Sequence, residues 1–241
     1  MLSATSFSVG GGMTKRLLSL SSTIALAAER ASALGPGELP TVVQWYGQSS
    51  LRVRLAGKTI WLDPVKVPAT EKADLILITH DHGDHYSPAA IEELSGPSTL
   101  VLAGFDGSAF ERIRPGDKRR VGEIAIEAVP AYNVVKAQLH PKSAGYCGFI
   151  LTADGLRLYD AGDTERIPEM KGLSCDVAFL PLGQTYTMGS PAEAAQAALD
   201  VKARMAVPIH FGLYEGSEAD AKEFSRLLAG KVDVVRLPLR K

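Results

Sequence analysis

The sequence predicts an α/β (α+β) chain in which β-sheets pack together with helices outside. Three observations lead there. From Thr41 onward, short apolar runs alternate with turn residues. One run, Ala73 to Thr79, is continuously apolar, as in a strand buried on both faces. Two series of such runs are each followed by helices, opened at Ser87-Pro88 and Ser190-Pro191.

The elements follow in order. Val42 to Tyr46, Ser50 to Leu55 and Thr59 to Leu62 read as a meander, with Ala56-Gly57-Lys58 as a tight turn. After the buried run, Ser87 is a helix N-cap with Pro88 at the first helical position. Ser98 to Ala103, Glu123 to Val129 and Tyr146 to Thr152 are further strands. Asp154-Gly155 is a hairpin turn into Leu156 to Asp160, and Cys175 to Leu182 is another buried strand. Ser190-Pro191-Ala192-Glu193 is a capping box, so a helix runs toward Asp200. Met205 to Ile209 is a strand, Ser217 to Leu228 a helix closed near Gly230, and Val232 to Leu237 a last strand.

The chain of 241 residues carries 26 basic and 27 acidic side chains, a formal net charge of −1. Balanced charge with 46% hydrophobic residues excludes disorder as the main state and supplies a real core. Near-neutral charge offers little counterion release, so no nucleic-acid partner is expected. No stretch approaches the roughly 20 apolar residues of a membrane span. Cys147 and Cys175 are too few for a disulfide scaffold and read as buried free thiols.

Residues 1–37 read as an N-terminal extension to a folded domain of residues 38–241. They hold seven serines, the bases Lys15, Arg16 and Arg30, and one acid, Glu29. The uncharged run Leu17 to Ala28 before Ala31-Ser32-Ala33 has the pattern of a signal peptide, interrupted by Glu29 and Arg30. Leu17, Leu20, Ile24, Ala28, Ala31 and Leu34 also follow helical spacing, which suits a transit peptide equally. The plainer alternative is a poorly structured extension, or a start at Met13. A cytoplasmic location is expected, with organelle targeting or export through residues 1–33 as the alternative. The extension is expected to be dispensable for the fold.

The informative segment is Thr79-His80-Asp81-His82-Gly83-Asp84-His85. It directly follows the buried strand. Extended backbone puts His80 and His82 on one side, where both can face one cation. Gly83 permits a sharp turn that brings Asp84 and His85 round to a second cation. Imidazole and carboxylate ligands suit zinc, with manganese or iron also acceptable.

His80-x-His82-x-Asp84-His85 resembles the signature of the metallo-β-lactamase superfamily. Asp63, in Trp61-Leu62-Asp63-Pro64, resembles the aspartate that orients a histidine ligand. Ala161-Gly162-Asp163-Thr164 resembles the motif whose aspartate bridges two metals. Pro208-Ile209-His210-Phe211-Gly212 resembles the motif of the final histidine. The third motif is expected at His140, in His140-Pro141-Lys142, although Asn133 stands at an alternative position. Trp45-Tyr46-Gly47-Gln48-Ser49-Ser50, Ile167-Pro168-Glu169-Met170 and Tyr186-Thr187-Met188 are similar to a bacterial subgroup related to L-ascorbate-6-phosphate lactonase. Many of those relatives carry histidine where Gln48 stands. The resemblance implies a four-layer αββα sandwich of two mixed β-sheets with helices on both outer faces.

It also implies a metal set. His80, His82 and His140 would hold one zinc, and Asp84, His85 and His210 a second. Asp163 would bridge, and Asp84 and Asp163 would be the catalytic carboxylates. Thr79 and Asp63 would orient the ligands. Two zinc ions roughly 3.5–4 Å apart can share a hydroxide that attacks a carbonyl or phosphoryl centre. Lys142, Tyr132 and Tyr186 are candidates for binding a small polar or anionic substrate. Asp163 and His210 stand 47 positions apart and 31 residues follow His210. That leaves no room for the inserted domain of the processing nucleases or the helical domain of glyoxalase II. Common β-lactamases carry cysteine where Asp163 stands, and diiron flavoproteins carry glutamate where His82 stands. The expected activity is hydrolysis of a small-molecule ester, lactone or phosphodiester. The alternatives are a phosphodiesterase acting on nucleotides or phospholipid head groups, and a metal-binding sensor without turnover.

Overall fold

In the computed structural model, which describes residues 34–240, the apolar runs pair into two sheets. The targeting patterns and the alternative start at Met13 lie outside the described residues. The first sheet holds, in spatial order, β1 (Val43–Trp45), β2 (Leu51–Leu55), β3 (Lys58–Leu62), β4 (Leu75–Ile78), β5 (Leu100–Ala103) and β6 (Glu111–Arg112). The meander β1–β2–β3 is antiparallel and β3 to β6 run parallel. The second sheet is ordered β13 (Asp233–Val234), β12 (Met205–Ile209), β11 (Val177–Pro181), β10 (Leu156–Asp160), β9 (Cys147–Ala153), β8 (Ile124–Pro130) and β7 (Lys118–Val121). Its strands β7 to β10 are antiparallel and β10 to β13 parallel.

Side-chain alternation decides which layer each residue joins. Ile60 and Leu62 of β3, Leu75 and Leu77 of β4 and Leu102 of β5 enter the core shared with the second sheet. Trp61, Ile76, Ile78, Val101 and Ala103 point the other way, onto Ile91 and Leu94 of α2 (Pro88–Leu94). On the far side, α3 (Pro191–Asp200) lies on β11, and α4 (Glu218–Leu228) packs against α3. With helices on one face and the first sheet on the other, β11 and β12 are buried along their whole length. This is the four-layer arrangement expected.

Local chemistry fixes the elements. Ser87, Ser190 and Ser217 each cap a helix through the side-chain oxygen. Ala56 and Gly57, and likewise Asp154 and Gly155, take the left-handed backbone that two-residue hairpins demand. Cys147 and Cys175 are buried free thiols.

Some expectations need correction. The capping box at Ser190 is half formed, because Glu193 accepts from the N–H groups of Gly189 and Arg166 instead of that of Ser190. The last strand shrinks from Val232–Leu237 to Asp233–Val234. Beyond it the chain leaves the second sheet, and Leu239 bridges to Trp45 of the first. A short helix, α1 (Leu39–Val42), takes Val42 from the first strand. The strands β6 and β7 had no apolar pattern to reveal them.

The sheets are pinned to each other at both ends. The N–H of Ala56 donates to the Asp154 carboxylate at 2.9 Å, joining the two hairpin tips. At the opposite end the N–H of Cys147 donates to the carbonyl of Thr79 at 3.2 Å. Gly104 lies in that second junction, where a Cβ would press into the Thr79 carbonyl oxygen and the Cys147 nitrogen. Both are backbone atoms and cannot turn aside. Gly104→Ala should therefore destabilise the fold by about 1–3 kcal/mol, or roughly 2–12 °C in thermal midpoint. An unchanged midpoint would show that the junction has slack.

Candidate metal centre

The ends of parallel strands assemble the site. Asp63 follows β3, the segment 79–85 follows β4, Asp163 follows β10 and His210 follows β12. His140 comes from the loop after β8, which returns beside the others because the Asn133 N–H donates to the His140 carbonyl. Segment 82–86 is a turn closed by bonds from His85 and Tyr86 N–H to the His82 carbonyl. Gly83 is not left-handed and faces open space, so the turn does not require a glycine.

Three overlapping groups bring ligand atoms within 4.8 Å of one another: His80 with His82 and His140, His80 with His85 and Asp163, and Asp84 with His85 and His210. His140 Nε2 lies 3.3 Å from His82 Nδ1. His210 Nε2 lies 3.4 Å from Asp84 Oδ2 and 3.3 Å from Asp163 Oδ2. His85 Nε2 lies 3.4 Å from Asp163 Oδ1, and His80 Nε2 3.8 Å from Asp163 Oδ2. Ligands at about 2.0–2.1 Å from a tetrahedral zinc stand roughly 3.3–3.4 Å apart, so these separations fit such a cation. The Nε2 atoms of His80 and His85 and Oδ1 of Asp163 are buried without a hydrogen-bond partner. Such orphaned atoms are costly unless a cation satisfies them. The donor set, five imidazoles and two carboxylates, suits zinc and similar borderline cations.

The residues behind the ligands select their free nitrogens. Asp63 accepts from Thr79 N at 2.8 Å, from Thr79 Oγ1 at 2.6 Å and from His85 Nδ1 at 2.7 Å. The Thr79 hydroxyl, donating to Asp63, accepts from His80 Nδ1 at 2.9 Å. Both imidazoles therefore present Nε2 to the centre. Asn133 is occupied elsewhere: its amide donates to the Tyr186 carbonyl and accepts from Glu165 N–H. The structure thus places His140, not Asn133, beside His80 and His82.

Charge follows environment. Burial and the neighbouring His85 hold His80 well below the usual histidine range, and burial takes His140 down to about 4. Burial opposes charge on His85 and His210 too, but carboxylates outweigh it. Asp163 and Asp63 raise His85 well above its ordinary value, and Asp163 with Asp84 lifts His210 to about 9. Against burial, His210 and His85 keep Asp84 down at about 2 and Asp163 well below the carboxylate range.

A cavity of about 640 Å³ opens over these groups, lined by Gln48, His82, Asp84, Asp163, Thr185, Tyr186, His210, Tyr214 and Glu215 among others. Of the expected substrate-binding residues, Tyr186 lines it. Lys142 and Tyr132 do not: Lys142 pairs with Glu169 at 2.7 Å, and the Tyr132 hydroxyl donates to the same carboxylate at 2.9 Å. Sequence reading missed Thr185, Tyr214 and Glu215. The signal available for the last two was a tyrosine and an acid just after the His210 motif.

A family profile described as the Beta-lactamase superfamily domain matches residues 42–210. The chain belongs to the metallo-β-lactamase superfamily. Within it the chain falls among the UPF0173 metal-dependent hydrolases. It is 32% identical over 210 residues to such a protein of Geobacillus thermodenitrificans, covering 77% of this chain and 92% of the relative. It is 36% identical over 199 residues to one of Archaeoglobus fulgidus, covering 72% and 82%. The crystal structure of a candidate metal-dependent hydrolase from Parabacteroides distasonis superposes with TM-score 0.73 at 35% identity, covering 82% of this chain and 93% of that one. No helix among the described residues is long and apolar enough to cross a membrane.

One buried group of this superfamily member gives a pH test. Burial and then the Asp63 charge push Asp160 up to about 8. In the metal-free chain, the folded state keeps a proton that the unfolded state has already released between about pH 4 and 8. The contribution of Asp160 to stability should therefore fall as pH rises through that window and level off above it. Asp160→Asn mimics the protonated form and retains an acceptor for Gly162 N–H. Its thermal midpoint in chelator should gain on the wild type from pH 6 to 8. Parallel pH profiles would show that Asp160 is ionised in the fold.

Proposed function

We propose that this metal-dependent hydrolase cleaves an ester or lactone bond in a small uncharged molecule, using two zinc ions. His80, His82 and His140 would hold one ion, Asp84, His85 and His210 the other, with Asp163 between them. What carries the reading is the set of largely buried ligand atoms at tetrahedral separations, four of whose residues, His82, Asp84, Asp163 and His210, line the cavity. When bound, such cations supply an acidified water and polarise the electrophilic oxygen.

The chain's own residues do the rest. Asp84 and Asp163, kept ionised, accept hydrogen bonds from the attacking water and orient it. Asp63 and Thr79 hold the imidazoles in one tautomer. Tyr186 and Tyr214, 44% and 65% exposed, offer ring faces to the body of a substrate at the cavity mouth. Among the described residues, no lysine or arginine lines this cavity, and Lys142 is engaged by Glu169. That favours a neutral ester or lactone over a phosphodiester or a phosphorylated lactone, since the main cavity offers a phosphate no lysine or arginine and Lys66 lines only the adjoining side cavity. The intact ligand set and the open cavity favour turnover over a sensor role.

Two measurements test the reading. Protein prepared without chelator from zinc-replete medium should carry about two equivalents of metal. His140→Ala should lower that figure while Asn133→Ala spares it, and a reproducible value near zero in the wild type overturns the metal centre.

Metal-reconstituted protein should turn over members of a lactone and carboxylic-ester panel faster than bis(p-nitrophenyl) phosphate. Asp163→Asn should cut that turnover more than about 100-fold, beyond the usual effect of groups that only orient ligands. Preference for the phosphodiester would reverse the substrate assignment.

A further inference from the structure

Gln48 occupies an unusual place. It sits in the loop between β1 and β2, 4% exposed, with left-handed backbone at φ 46°. Two donors grip its carbonyl, the Trp45 indole N–H at 2.8 Å and the His210 backbone N–H at 2.9 Å. The residue is thereby fixed to the end of β12, where His210 also stands. Its side-chain Nε2 lies 2.9 Å from Asp84 Oδ2 and 2.8 Å from His210 Nε2. It also lines both the main cavity and a side cavity of about 140 Å³, as do Asp84 and Tyr214.

The orientation of the carboxamide follows from its neighbours. A half-turn flip would set its oxygen against the Asp84 carboxylate, two acceptors in contact. The amide nitrogen therefore faces the site, and Oε1 is the buried atom left without a partner. A ring nitrogen engaged by a cation has no lone pair left to accept the second N–H. The bond to Asp84 is the one that survives cation binding.

We infer that Gln48 is a positioning residue for the second cation position, its carboxamide holding the Asp84 carboxylate in register with His85 and His210. This rests on the two-cation reading above. Left-handed strain and a buried orphan oxygen are costs accepted in exchange for a fixed donor at that carboxylate. Gln48 makes its side-chain hydrogen bonds to Asp84 and His210 and none to His80, His82 or His140, so the first position should not depend on it.

The test is a calorimetric and visible-absorption titration of the metal-free full chain with Co(II). The wild type should take up two equivalents. Gln48→Leu, which keeps the volume and loses the donor, should weaken the second equivalent by roughly 10–100-fold and leave the first unchanged. Gln48→Ala should behave like the leucine variant. Two wild-type equivalents with both retained at full affinity in the leucine variant would overturn the inference alone. A defect in alanine but not leucine would mean that Gln48 only fills space, which overturns it as well. Equal weakening of both equivalents, or loss of fold in both variants by circular dichroism, would assign Gln48 a general structural role instead. A wild type binding fewer than two would overturn the two-cation reading and this inference with it.

Discussion

Asp63 has no exposed surface, yet its two oxygens serve three donors: the backbone and hydroxyl of Thr79 and the Nδ1 of His85. A buried carboxylate is costly without such partners. Here each partner also has work to do at the centre. One bond turns the His85 ring, another orients the hydroxyl that turns His80, and the third fixes the backbone just before the cluster. The tautomers of two imidazoles thus depend on one carboxylate at the end of a neighbouring strand. The parallel pairing of β3 with β4 makes this possible, because it brings their carboxyl ends side by side.

Geometry around that carboxylate is strained on purpose. Gln48, Asp63 and His210 are all left-handed without being glycine, Asp63 and His210 directly after strands and Gln48 in the loop between β1 and β2. Such conformations persist only where surrounding bonds overdetermine them. The His210 N–H to Gln48 carbonyl bond ties two of the three together across the sheets. Side chains are thereby aimed inward at positions where an ordinary strand exit would carry them past the centre.

How much of this was legible in the sequence depended on how local the signal was. The cluster from His80 to His85 lies within six residues after an apolar run, so its convergence could be read directly. Asp163 and His210 were readable through short motifs at strand ends. Between His140 and Asn133 the residues alone could not decide, because the answer lies in how a long loop folds back onto its own start. The cavity walls at Thr185, Tyr214 and Glu215 lie in loops, which obey no periodicity, and only the tyrosine and acid just after the His210 motif hinted at two of them. Lys142 drew attention as a cation near a motif, but its distant neighbour Glu169 had already claimed it. The apolar strands were read within a few residues of their ends, while the last one was overextended where the chain crosses between sheets.

The strands that escaped detection share a property with consequences for the molecule in a crowded solution. An open sheet edge is a template for other chains, and nature blunts it with charge, brevity or cover. Here β7 is Lys118-Arg119-Arg120-Val121, and β6 and β13 have two residues each. The fourth edge, β1, is strapped by the crossing C-terminal segment, with Arg240 N–H bound to the Trp45 carbonyl. The polarity that hid β6 and β7 from a hydrophobic pattern, together with the brevity of β13 and the strap over β1, leaves a neighbouring chain little free edge with which to pair.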